Sequence, residues 1–330
     1  IPPPQEAAER GFIMSMFLAI LIFVVGLALI VKGGDAFVDA ATWIAKVSGI
    51  PTFIVGATIV SLATTLPEML VSAMAAAKGS VDMACGNAIG SVTANTGMIL
   101  AIAVLAMPTV IKRSDYLAKG LILIACVSTL LLFGYTGQLK WLGSVVLIVL
   151  FVIFIVDNVL SAKSSMANAP AEEKPEHDKK TVITNVVKFI LGAAATVLGA
   201  RLMVDSATDI ANFLHVPEAV IAVTIVAIGT SLPELVTTIT AIAKKEASLS
   251  AGNVIGANII DTSLILPICS LISGKELPLS TQCITLDIPF CLAIAVIMVV
   301  PMLMKKKFMR WQGVAALCTY AAYMIMVTVL

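Results

Sequence analysis

The sequence predicts an all-α fold: a polytopic membrane protein of ten transmembrane helices, built as two inverted-topology five-helix repeats with interrupted helices. Three observations predict it. The 330 residues are 59% hydrophobic and only 12% charged, with mean hydropathy +1.04, whereas soluble chains run near about a quarter charged. Apolar runs near the roughly 20 residues that cross a bilayer recur along the whole length. The second half also repeats the first at one fixed offset.

Taken in order, residues 1–11, beginning "IPPPQEAAER", read as an extended, solvated lead-in; they lack the basic start of a signal peptide. The first repeat, 12–160, holds the spans Phe12–Val31, Thr52–Ala77, Val81–Met107, Leu117–Phe133 and Leu139–Leu160. Residues 161–183, containing "SAKSSMANAPAEEKPEHDKKT", are rich in Ala, Pro, Lys and Glu and read as a flexible linker. The second repeat, 184–330, holds Val186–Leu202, Glu218–Ala243, Leu249–Ile272, Cys283–Met304 and Trp311–Val329. Spans two and seven carry "LPE", and spans three and eight carry "GN".

Glu68 and Glu234 lie 166 positions apart, and the same offset pairs Gly33 with Gly199, Asp39 with Asp205, Pro51 with Pro217, Thr64 with Thr230, Pro67 with Pro233 and Asn87 with Asn253. No gap is needed, so this is an internal repeat. Five spans per half make the two halves enter the membrane in opposite senses. With the N-terminus outside, the outer loops hold Arg10, Lys78, Lys140, Arg201 and Lys275, and the rest of the 21 lysines and arginines fall inside. Cytoplasmic loops are where Lys and Arg accumulate. The expected topology therefore has both termini outside and the linker in the cytoplasm. Inverted repeats with interrupted helices are the usual build of secondary transporters.

The repeated segments carry the chemistry. A proline inside a helix displaces the carbonyl four residues earlier, here that of Ala63 and of Gly229. A carbonyl freed inside a membrane must find another partner, and a cation is one. Thr64 and Glu68, like Thr230 and Glu234, are spaced i, i+4 and share a helix face. Asn87, Ser91 and Asn95 form a second stripe, matched by Asn253, Ala257 and Asp261. Glycines 86 and 90, and 252 and 256, would let these helices approach closely. Carboxylates, hydroxyls and carbonyls are hard oxygen ligands, suited to Ca²⁺ or Na⁺ rather than zinc or copper. A glutamate at a membrane helix centre costs about 2.5–3.5 kcal/mol even on lower estimates, so two at equivalent positions mark function. The three carboxylates Glu68, Glu234 and Asp261 cannot all stay ionised without cations or a proton. Blander readings fit other residues. Thr58, Thr224, Thr237 and Thr238 are expected to bond back to their own helices, and Asp39 and Asp205 to sit at span ends as surface or cap residues.

Other functions are disfavoured. A net charge of +1 offers no basic patch for nucleic acid. The six cysteines form no C-x-x-C pair. An intramembrane enzyme would want H-E-x-x-H or a histidine base within a span, but His177 and His215 lie in or near polar loops. A channel would need a ring of ligands.

"GATIVSLATTLPEMLVS" and "AVTIVAIGTSLPELVTT", with "GNAIGSVTAN" and "GNVIGANIID" downstream, resemble the signature repeats of the calcium/cation antiporter superfamily, most closely its prokaryotic sodium/calcium exchanger branch. The resemblance implies Ca²⁺ held by Thr64, Glu68, Thr230 and Glu234. It implies sodium sites drawing on the main-chain carbonyls of Ser61 and Ala227 and on Thr65, Ser91 and Ser231, with Asn95 and Asp261 completing the cluster. Ala257 stands where the family commonly has a serine, which removes one sodium-binding hydroxyl. The expected partners are inorganic cations and the lipid bilayer of a prokaryotic plasma (inner) membrane, with no cofactor and no obligate protein partner. The expected activity is Ca²⁺/Na⁺ antiport; a proton-coupled cation exchanger is the alternative.

Overall fold

A computed structural model describes residues 4–79, 81–108, 113–167, 178–214, 229, 231–274, 276–305 and 307–329. The described residues are helical apart from two short strands and the connecting loops. Among the described residues eight helices are long and apolar enough to cross a membrane, and Leu232–Ala243 is a shorter apolar helix. That short helix belongs to the expected seventh span, of which residues 218–228 and 230 lie outside the described set.

Helix α1 (Pro4–Ser48) runs 45 residues, about 67 Å at 1.5 Å per residue. It absorbs both the expected lead-in and the first span, so residues 4–11 are helical rather than extended. Proline suits a first helical turn, where its missing N–H would have had no partner anyway. At the other end the Ser48 hydroxyl donates back to the Ile44 carbonyl (2.6 Å), and Gly49 leaves the helix at φ +71°. Helix α6 (Lys179–Phe213) is also longer than its expected span. Its start is capped by Asp178, whose carboxylate accepts the Thr181 N–H at 2.9 Å. The Thr181 hydrogen bonds hold this exposed carboxyl below its ordinary range. Between the halves, α5 (Trp141–Ala167) continues into the expected linker.

α1 and α6 cross through glycines. A Cβ at Gly26 would come 2.9 Å from the Gly199 carbonyl oxygen, and one at Gly33 2.9 Å from that of Gly192. Gly26 and Gly192 are 166 residues apart, as are Gly33 and Gly199, so the contact is reciprocal. Much of the pair's remaining surface is exposed and apolar, including Phe17, Val24, Leu191 and Leu198. Asp39 is exposed, as expected of a surface residue, but it is not at a helix end. It lies within α1 and pairs with Lys244 Nζ at 2.7 Å, which also reaches Asp35. Asp205, likewise inside α6, faces Arg201 on the same helix (3.9 Å).

The buried interior forms around α2 (Thr52–Ala77), α3 (81–106) and α8 (Ala247–Ser273). Helices α4 (Arg113–Gly134) and α9 (Cys283–Lys305) pack onto it. Helix α7 is Leu232–Ala243 and α10 is Arg310–Val329. Strands β1 (Gln138–Leu139) and β2 (Leu277–Pro278) pair antiparallel and tie the α4–α5 loop to the α8–α9 loop.

The expected interruption at Pro67 is not there. The chain is α-helical through Ser61–Ala77 with Pro67 inside. A membrane helix tolerates proline where neighbouring groups satisfy the backbone it frees. The irregularities are π-helical turns instead, at Gly56–Val60 in α2, Asn95–Leu100 in α3, Asp261–Ile265 in α8 and Cys283–Asp287 in α9. In the second half the backbone is non-helical at Ser231 (φ −91°, ψ 9°), and Pro233 lies in the first turn of α7.

Candidate ion-binding site

Four helices deliver the site. On α2, Ser61, Thr64, Thr65 and Glu68 fall at i, i+3, i+4 and i+7, one helical face, and all are buried. The first turns of α7 bring Glu234 and Thr237, with Ser231 just before them, all buried. The π-turns of α3 and α8 begin at Asn95 and Asp261, and Ser91 lies one turn before Asn95. Single π-turns re-aim side chains and recur at functional sites. Asn95 and Asp261, 166 apart, are both re-aimed in this way.

Close backbone contact sets the frame. A Cβ on Gly252 would strike the Phe53 carbonyl, one on Gly56 the Leu249 carbonyl, and one on Gly256 would come 2.6 Å from both the Ala57 carbonyl and the Ser61 hydroxyl. α8 can therefore lie directly on the ligand-bearing part of α2 only because these positions have no side chain. The Thr64 hydroxyl crosses this contact to donate to Asn253 Oδ1 at 3.1 Å. On the other flank the Asn87 amide donates to the Glu68 carbonyl (3.2 Å) and the Ser72 hydroxyl (2.9 Å), which braces the helix behind Glu68.

Glu234 and Asp261 both lie within electrostatic reach of Glu68, and Asp261 within reach of Glu234. Both carboxylate oxygens of Glu68, of Glu234 and of Asp261 have no hydrogen-bond partner. Neither do the hydroxyls of Thr65, Ser91 and Ser231 or the amide oxygen of Asn95. Buried polar atoms are normally satisfied, and a buried unpaired charge is far more costly than a neutral one. Such a concentration of acceptors in one place needs cations. Among the described residues no three His, Cys, Asp or Glu side chains converge on a single metal position. A bound ion must therefore complete its shell with hydroxyl, amide and carbonyl oxygens, the donors that line this region.

The structure brings together Ser61, Thr64, Thr65, Glu68, Ser91, Asn95, Ser231, Glu234 and Asp261 on these facing helices; Thr230 and Ala227 lie outside the described residues. The Ser61 hydroxyl is taken up by the Thr58 carbonyl (3.1 Å). Thr58 bonds back to its own helix as expected, at Ile54 (2.7 Å). Thr238 does not: it accepts from Ser250 at 3.0 Å. Thr237 is buried with its hydroxyl unpartnered, so the bland reading of it fails. Its place three residues beyond Glu234, on the same helix face, was the signal that could have singled it out.

Comparisons with known proteins agree with this chemistry. The family profile described as "Sodium/calcium exchanger protein" matches residues 18–159 and 184–329. The inner membrane protein YrbG of Escherichia coli is 36% identical over 270 residues, covering 79% of this chain and 82% of that one. The sodium/calcium exchanger MaX1 of Methanosarcina acetivorans is 29% identical over 343 residues, covering 92% and 97%. A solved structure of the sodium-calcium exchanger NCX_Mj, soaked with 10 mM Na⁺ and no Ca²⁺, superposes with TM-score 0.80 at 30% identity over 93% of this chain and 98% of that one. An integral membrane protein with this helical architecture and this oxygen-lined interior, the chain belongs to the sodium/calcium exchanger family.

Proposed function

We propose that the chain exchanges Ca²⁺ for Na⁺ by alternating access around this site. The observation that carries the reading is the set of unpartnered carboxylate oxygens on Glu68 and Glu234, two glutamates at repeat-equivalent positions buried in one region. Thr64, Glu68, Thr230 and Glu234 would hold Ca²⁺. The carbonyls of Ser61 and Ala227, the hydroxyls of Thr65, Ser91 and Ser231, and Asn95 and Asp261 would serve Na⁺ or be shared. Because both ions need the same glutamates, they compete. An emptied site, left with uncompensated charge, is too costly to carry across, which makes the process exchange rather than leak.

Expelling one Ca²⁺ against 100 mV, inside negative, costs about 4.6 kcal/mol, from about 2.3 kcal/mol per charge. Entry of three Na⁺ would offset this and move one net charge inward. Ten spans in two inverted repeats, both termini outside and the linker cytoplasmic, belong to the same reading. The β1–β2 pairing supports it, because it joins two loops that this count assigns to the outer face. The α1–α6 pair, sparsely buried and glycine-lined, is suited to move against the ligand-bearing helices.

A proton-coupled exchanger is the second reading, favoured by Ala257, which supplies no hydroxyl opposite Ser91. Proteoliposomes loaded under separately imposed Na⁺, K⁺ and H⁺ gradients distinguish the two. Calcium uptake driven by Na⁺ alone is the expected result; uptake driven only by H⁺ would overturn the sodium reading.

A further inference from the structure

We infer that Asn253 is a positioning residue for the calcium site: it takes the Thr64 proton, so that the threonine oxygen faces the ion with its lone pairs. This rests on the exchange reading above. A hydroxyl bound to a cation uses its lone pairs, so its hydrogen must go to another acceptor. Two neutral acceptors lie within reach of the Thr64 hydroxyl, Asn253 Oδ1 at 3.1 Å and the Ser61 carbonyl at 3.4 Å; the nearby Glu234 carboxylate is the ion's own ligand and is not free to take the proton when the site is filled. The nearer acceptor comes from α8, in the other half of the chain. It also spares the Ser61 carbonyl, which the sodium sites need as a ligand.

The two halves use their equivalent asparagines differently. Asn87 spends its amide hydrogens on the Glu68 carbonyl and Ser72. The threonine matching Ser72 is Thr238, and its oxygen is already occupied by Ser250, a residue standing where the first half has Ala84. Asn253, fully buried, keeps its Nδ2 unpartnered and presents its oxygen to Thr64 instead. Its backbone cannot drift from this position, because the neighbouring Gly252 abuts the Phe53 carbonyl and Gly256 lies against Ser61.

The test compares wild type with Thr64→Val, Asn253→Ala and the double variant in proteoliposomes, reading KM for Ca²⁺, half-saturating Na⁺ and kcat. Asn253→Ala should raise KM for Ca²⁺ about tenfold with kcat changed less than about threefold, a difference of about 1.4 kcal/mol. It should also weaken Na⁺ binding by about threefold, because the Thr64 proton then falls on the Ser61 carbonyl. In the Thr64→Val background, Asn253→Ala should change neither quantity further. An unchanged KM in Asn253→Ala, or effects that multiply in the double variant, would overturn the assignment. Asn253→Leu, close in volume and lacking the oxygen, carries the same comparison should the alanine variant not fold. If wild type itself shows no sodium-driven calcium flux, it is the exchange reading that fails, and calcium titration of the detergent-purified variants still decides whether Asn253 acts through Thr64.

Discussion

Glu68 and Glu234 are buried acids whose oxygens find no protein partner, so their stability depends on what they bind. Glu68→Gln and Glu234→Gln are each expected to lower sodium-driven calcium flux by more than about a hundredfold while the protein stays folded by size-exclusion chromatography and circular dichroism. Retained exchange in either would contradict the assignment. The same atoms predict a response to ion removal. Calcium at about a hundred times its dissociation constant should stabilise the folded protein by about 2.7 kcal/mol, seen as a raised Tm in detergent. Either glutamine variant should lose most of that rise. The two glutamates were legible in the sequence because charge inside an apolar run needs an explanation wherever it occurs. Thr237 and the Thr64–Asn253 bond were not, because a threonine's partner depends on which helix lies opposite it. That is a property of packing, and the local residues do not record it.

At the level of helices, the apolar runs were legible and the irregular turns were not. Proline at 67 suggested a break, yet α2 stays helical there and loosens at Gly56–Val60 instead. A π-turn needs one extra residue per turn and no particular composition, so nothing in "GATIV" or "NTGMIL" announces it. Helix lengths were underestimated for a similar reason. Apolar composition marks the part suited to lipid, while α1 and α6 continue past it through more polar sequence that includes Gly33 and Gly34. Glycines 252 and 256 of α8 were correctly read as points of close approach, whereas a Cβ at Gly86 or Gly90 of α3 would meet nothing within 4 Å; the structural cost of the α8 glycines can be tested. Gly252→Ala would press a methyl into the Phe53 carbonyl. It should destabilise by about 1–3 kcal/mol, as overpacking does, and raise KM for Ca²⁺ by shifting Thr64 and Glu68 together. Scanning calorimetry alongside transport measures both.

Across the whole molecule, the 166-residue repeat was legible, and it also shows where the two halves have stopped matching. Lys244, at the end of α7, grips Asp39 and Asp35 on α1. The corresponding residues of the other half are Lys78, Asp205 and Arg201. There Asp205 turns to its own helix neighbour, and Arg201 and Lys78 are exposed. A partly exposed pair is worth no more than about 1 kcal/mol, which is still enough to tilt a balance severalfold. Lys244→Ala should therefore speed amide hydrogen exchange along residues 33–48 of α1, while Lys78→Ala leaves α6 as it was. An exchanger whose ancestral halves were interchangeable would idle equally toward either side of its membrane. Here Lys244 is fastened to α1 while its counterpart Lys78 stands exposed, so the two flanks are not equivalent.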